Sequence, residues 1–199
     1  MNNFFYRYDK RKMNIICFDW DDTLLPSTHI SSLGYDLGSE SIDPKLDEDL
    51  KKIEKATISL LKMAMSQATV MIITNSQEGW VLLSATKFIP GVVPLLKQCT
   101  IVSARSRYEH AYPDDPYKWK ECAFREISAT HVISFGDSHT EREAVHKTQG
   151  KGVRVKNVKF ADRPSIEQLH RQIEFIEKSF EYIYTHSGSL DLMLTITMI

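Results

Sequence analysis

The sequence predicts an α/β fold with a mostly parallel central sheet flanked by helices. Strand-like and helix-like segments alternate along most of the chain, the pattern that builds such sheets. The first strand-like segment is a continuous apolar run, as expected for a strand covered on both faces. The 199 residues, 42% hydrophobic and 26% charged, suit one folded unit with a sizeable core.

Strand one is expected over 14–19. Residues 26–42 hold Pro26, Gly34, Gly38 and several serines and read as a loop or small hairpin. Asp43 and Pro44 then open a helix by N-cap and N1 chemistry. Leu46, Leu50, Ile53, Thr57, Leu60, Leu61 and Ala64 continue it at helical spacing to about residue 67. Strand two spans 69–74, with a helix expected from near Ser76. Strand three covers 99–103, and a polar stretch over 104–116 leads into a helix over 116–127. Strand four takes 131–135, followed by a helix over 140–147. Strand five lies within 151–160, and 165–184 reads as a long final helix. No repeat or linker divides this core, expected over 13–186. An N-terminal arm over 1–12 precedes it. The apolar tail over 187–199 is either an extra edge strand or the start of a region belonging to a longer protein.

A formal charge of −1 provides no global field for nucleic acid or acidic lipid, so neither is an expected partner. Cys17, Cys99 and Cys122 are odd in number and widely spaced, fitting reduced thiols better than a disulfide framework or a metal site. There is no run of about 18 apolar residues for a membrane span, and the N-terminus lacks the apolar core of a secretory signal. A soluble cytoplasmic protein is expected, or one delivered into a host cell if it is an effector.

Four short pieces carry chemistry, each just past a strand end or at a helix start, where open parallel sheets bind ligands. Asp19-x-Asp21-x-Thr23 follows strand one. Thr74-Asn75 follows strand two. Tyr117-Lys118-Trp119-Lys120 opens a helix, and Gly136-Asp137-Ser138 with Glu141 follows strand four. Asp19, Asp21 and Asp137 would form a hard oxygen cluster suited to Mg²⁺, which keeps several waters and pairs with phosphate. Thr74 and Asn75 suit either a phosphate cradle or a plain helix cap, since both use the same geometry. Trp119 reads as a packing anchor, which favours Lys120 over Lys118 as the lysine that offsets phosphoryl charge. The histidines show no metal spacing, and His139 is expected at the surface. On its own Asp-x-Asp-x-Thr is weak, arising by chance in roughly a few per cent of chains this long. Four pieces in order are a stronger signal.

Together they resemble the haloacid dehalogenase superfamily of phosphohydrolases, matching its four motifs over residues 14–156. The resemblance implies a Rossmann-like fold and Mg²⁺-dependent hydrolysis of a phosphomonoester. Asp19 would be the nucleophile that forms an aspartyl-phosphate, and Asp21 the acid and then the base. Thr74, with Asn75 beside it, would bind phosphate, and Lys120 would stabilise charge. Asp137 would hold Mg²⁺ with Asp19 and the Asp21 carbonyl. Where the family has a second aspartate this chain offers Glu141, an expected outer partner of the metal together with Thr23; a first-turn glutamate answering the helix dipole is the other reading.

The family's cap domain has no room here, because 24–42 is too short and 79–117 is taken by one helix, strand three and a loop. A capless enzyme suits a phosphoprotein or phosphopeptide, and some capless relatives, including certain bacterial effectors, are protein tyrosine phosphatases. Trp20, Trp80, Tyr35 and Tyr108 are aromatic candidates for stacking on a phosphotyrosine ring. Arg105 and Arg107 could meet acids flanking the target. A small phosphomonoester is the alternative substrate, and a non-catalytic interaction module that kept the fold is the alternative class. A receiver-type phosphoacceptor domain fits less well, since its acceptor would follow strand three, where Ser103-Ala104 stands.

Overall fold

The computed structural model describes residues 14–148 and 152–195. Six parallel strands form one sheet in the order β3-β2-β1-β4-β5-β6. They are β1 (Asn14–Phe18), β2 (Thr69–Thr74), β3 (Thr100–Ser103), β4 (His131–Gly136), β5 (Arg154–Lys159) and β6 (Leu190–Met193). On one face lie α1 (Ser27–Ser32), α2 (Pro44–Gln67), α3 (Trp80–Phe88), α4 (Val93–Leu96) and α8 (Ile166–Thr185). The other carries α5 (Ala104–Tyr108), α6 (Pro116–Arg125) and α7 (His139–His146).

Strand β1 feeds both layers. Ile16 and Phe18 pack under α2 and α8, while Cys17 turns to the α6–α7 side, the alternation that a pleated strand imposes. The apolar stripe of α2 buries Leu46, Leu50, Ile53, Leu60 and Leu61, and its start is fixed by Asp43, whose carboxylate accepts from the N–H groups of Lys45 and Leu46 at 2.8 and 3.3 Å. Phe18 stacks on Phe135 across β1 and β4, with ring centroids 4.8 Å apart. This aromatic pair sits directly beneath the strand ends that carry Asp19 and Asp137.

Local differences from the expected elements have physical causes. The 26–42 segment contains α1 rather than a hairpin. Helix α3 starts at Trp80, not near Ser76, because Gly79 occupies the left-handed region (φ 88) immediately before it. The polar stretch after β3 folds into α5, capped by Ser103, whose hydroxyl accepts from the Ser106 N–H at 3.0 Å. Within the tail, β6 pairs parallel to β5. The arm over 1–12 lies outside the described residues. No helix among the described residues is long and apolar enough to cross a membrane.

Candidate active site

Strand β1 has β2 on one side and β4 on the other, so the crossovers diverge and leave a crevice at their carboxyl ends. Asp19 extends β1 by one residue, its N–H donating to the Phe135 carbonyl at 2.8 Å. The chain then coils tightly. The Trp20 carbonyl accepts from Thr23, Leu24 and Leu25 at 3.3, 2.9 and 3.1 Å, and Asp22 takes the left-handed conformation (φ 56) that aspartate tolerates better than most residues. The Asp22 carboxylate accepts from the Thr28 N–H at 3.0 Å, fastening this coil to the start of α1.

Asp19 Oδ1 accepts from the Trp20 N–H at 2.8 Å and from Lys120 Nζ at 2.9 Å. Lys120 is 0% exposed and also meets Glu141 Oε1 at 2.9 Å and the Ile73 carbonyl at 2.5 Å. Helix α6 delivers this lysine; Pro116 begins the helix and Asp115 caps it by accepting from the Lys118 N–H at 2.9 Å. Glu141 is set by a capping box on α7, where its Oε2 accepts from the Ser138 N–H at 3.1 Å and from the Ser138 hydroxyl. Gly136 makes room for it: a Cβ there would stand 2.7 Å from Glu141 Cγ. Oxygens of Asp19, Asp137 and Glu141 all lie within 4.8 Å of one another.

Two carboxylates therefore pair with one ammonium, and a third, Asp137, clusters with them. Burial pushes the Asp19 carboxyl well above its usual range; Lys120 opposes that rise, and Glu141, Asp137 and Asp21 add to it. Asp137 is raised to about 7, by burial first and then by Glu141 and Asp22. For Glu141, burial works upward, but Lys120 and the Ser138 hydrogen bonds hold it below the normal value. Burial opposes the charge on Lys120, yet Asp19 and Glu141 keep its pKa above normal. The donor set is all carboxylate oxygen with too little positive charge, and two of its acids are held towards the neutral form. These residues fit a hard divalent cation such as Mg²⁺, which would relieve both.

The Asp21 carboxylate faces a different set. Its Oδ1 accepts from the Trp80 indole N–H at 2.9 Å, and its Oδ2 from the Ser76 hydroxyl at 2.6 Å and, at a long 3.5 Å, from the Thr74 hydroxyl. Thr74 is buried at the end of β2 and also caps the following turn by accepting from the Ser76 N–H at 2.9 Å. Asn75 donates to the Pro116 carbonyl at 3.1 Å, tying this turn to the helix that carries Lys120, while its own buried Oδ1 has no partner.

Other candidates are placed elsewhere. Trp20 is 0% exposed, its indole donating to Ser84 at 2.9 Å, so its side chain is part of the core and presents no face to a substrate. Arg105 is paired with Glu109 at 2.9 Å and lies over the Trp119 ring. Arg107 is paired with Glu126 at 3.2 Å and lines a cavity of about 300 Å³ shared with Thr74 and Ser106. Tyr35 packs against the core beneath α2, and Tyr108 against the core on the opposite face. Thr23 is fully buried with an unpartnered hydroxyl. Lys118 pairs with Glu121 at 3.3 Å, away from the carboxylates, and His139 is exposed. Ser76, Ser138 and Lys159 escaped the sequence reading. Lys159 is buried and donates to the Asp137 carbonyl at 2.7 Å and to Asp162 at 2.6 Å. A lysine inside an apolar strand was the available signal for it; Ser76 had none beyond its closeness to Thr74.

No family model matches this chain, and neither a curated protein nor a solved structure does.

Proposed function

We propose that the chain is a phosphomonoester hydrolase of the haloacid dehalogenase type, acting through an aspartyl-phosphate and directed at phosphoprotein, with phosphotyrosine the favoured target. The observation that carries this reading is the division of labour between two aspartates two positions apart. Asp19 is held by a buried ammonium, whereas Asp21 is held only by neutral donors.

Asp19 Oδ1 takes both the Trp20 N–H and the Lys120 ammonium, so Oδ2 is the oxygen for attack. That oxygen forms a bond to phosphorus as the bond to the leaving oxygen breaks, and the protonated Asp21 gives its proton to that oxygen. Asp21, now anionic, takes a proton from water; the hydroxide oxygen attacks phosphorus, and the Asp19–phosphorus bond breaks. Free phosphate is released, the Asp19 carboxylate is regenerated and Asp21 again carries the proton taken from water. The Trp80 and Ser76 hydrogen bonds hold Asp21 in line through both proton transfers. Lys120 offsets charge on the acyl-phosphate oxygens, and the Thr74 hydroxyl and nearby backbone hold the phosphoryl group. Asp19, Asp137 and Glu141 would hold Mg²⁺, which supplies charge neutralisation between an anionic nucleophile and an anionic substrate. Among the described residues only the short α1 stands between β1 and α2, so a bulky substrate can reach the crevice and itself exclude water.

Asp19→Asn and Asp21→Asn are expected to lower kcat on an aryl phosphate by about 10³-fold or more, with circular dichroism unchanged. Full turnover by Asp19→Asn, with deamidation excluded by mass spectrometry, removes the nucleophile assignment. Phosphopeptides assayed beside a metabolite panel decide the substrate class; preference for one sugar phosphate removes the phosphoprotein reading.

A further inference from the structure

The opposite end of the sheet holds a second charge imbalance. A cavity of about 270 Å³ opens at the amino ends of β1, β4 and β5, under the end of α8. Asn14, His131 and Arg154 are cross-strand neighbours there, and two residues along Ile16, Ile133 and Lys156 form the next row. Strand pleat puts both rows on one face. Three basic side chains therefore share one wall, above an apolar floor.

Lys156 is 4% exposed. Its ammonium donates to the Ile183 and Tyr184 carbonyls at 2.7 and 2.6 Å, leaving one of three N–H bonds unassigned. Those two bonds also neutralise the negative end of α8, which would otherwise repel an anion at this place. Among the described residues Arg154 has no ion pair and no carboxylate lines the cavity. The Arg154 charge reaches its neighbours: burial first, then Arg154, lowers Lys156, and burial, Arg154 and Lys156 together lower His131. Gathering cations around a buried ammonium without a counter-charge is costly unless an anion completes the set.

We propose that this cavity is a binding site for a small soluble oxyanion bearing a phosphate group, held by Arg154, His131 and Lys156 and distinct from the carboxylate crevice at the other end of β1 and β4. The guanidinium offers a planar fork to two phosphate oxygens. His131 and the remaining N–H of Lys156 serve the third. The volume exceeds that of inorganic phosphate, leaving space for a small organic substituent beside Tyr184 and His186. The site owes nothing to the hydrolase reading and stands or falls separately from it.

Inorganic phosphate and glycerol phosphate are titrated into the full chain in Mg²⁺-free buffer, by calorimetry and by amide chemical shifts. Wild type and Asp19→Asn are expected to bind alike with Kd on the order of 1 mM or tighter, with shifts concentrated around residues 131–133 and 154–156. Arg154→Ala, at an exposed position that the fold tolerates, is expected to weaken binding at least about tenfold. Lys156→Met should do the same, its folding checked by thermal melting. Equal affinity in wild type and Arg154→Ala overturns the proposal, as does loss of binding in Asp19→Asn alone. No binding at about 10 mM phosphate also overturns it. In a parallel arm, capture by phosphatidic acid vesicles without binding of the soluble anions would overturn the assignment to a soluble ligand.

Discussion

At the carboxyl ends of β1 and β4, oxygens of Asp19, Asp137 and Glu141 cluster within 4.8 Å of one another, and one ammonium pairs with Asp19 and Glu141. At the amino ends of β4 and β5, His131, Arg154 and Lys156 share a cavity that no carboxylate among the described residues lines. The same strands thus carry opposite unbalanced charge at their two ends. The apolar middle cannot screen one from the other by ionic rearrangement, so each end must find its own compensation. The two ends also differ in construction. The acidic one is cross-braced by Lys120, Ser138, Trp80 and Ser76. At the basic end Lys156 is tightly held and His131 lies 3.0 Å from the Thr130 hydroxyl, while Arg154 has no ion pair among the described residues.

The comparison breaks most sharply at Lys120. Lys120→Ala removes the ammonium shared by the buried carboxylates and is expected to destabilise the chain by about 3–5 kcal/mol in urea unfolding, besides abolishing turnover. Arg154→Ala at the other end should shift stability by no more than about 0.5 kcal/mol. Similar losses for the two would mean that the ends do not differ in this way.

The next effect is a pH dependence. The folded Asp137 carboxyl is raised to about 7, above its unfolded value, so folding favours the protonated form. Its contribution is fully present below the unfolded value and is lost as pH rises towards 7. Metal-free chain should therefore lose stability between about pH 4 and pH 7, by up to about 1.4 kcal/mol per pH unit for one proton. Saturating Mg²⁺ should flatten that slope, since the cation favours the ionised carboxylate. Chemical denaturation at a series of pH values, with and without the metal, measures both; an unchanged slope with metal would remove the carboxylates from the cation site.

A further effect at the acidic end probes shape rather than charge. Gly136→Ala places a methyl where Glu141 Cγ stands, at a cost of about 1–3 kcal/mol. Displacing Glu141 from Lys120 is expected to weaken Mg²⁺ binding, read by calorimetry, more than it alters far-ultraviolet circular dichroism.

The acidic end was largely legible in the sequence because its parts are local. An apolar run followed by Asp19-x-Asp21, a threonine at the end of β2 and an aspartate after β4 each sit where the backbone itself delivers them. Lys120 was legible through Trp119, which had to face inward and so fixed the helix face. What escaped depends on chain crossings. Ser76 and Trp80 converge on Asp21 only because Gly79 delays α3 by a turn. Trp20 neighbours the two aspartates in sequence, but the coil after β1 carries its side chain into the helical layer, against Ser84. The basic end was invisible, because His131, Arg154 and Lys156 become neighbours through strand register alone.

Strand β6 bears on the order in which the molecule is completed. Asp191 accepts three bonds from Arg142, at 2.9, 3.1 and 2.5 Å, and one from Asn157 at 3.0 Å, so the sixth strand clasps the helix that also holds Glu141. During synthesis Asp19 emerges well before Asp191. A nascent chain halted before residue 190 would carry Asp19, Lys120 and Asp137 yet leave α7 unfastened on its outer side. Maturation of the crevice is in this sense tied to the later arrival of β6.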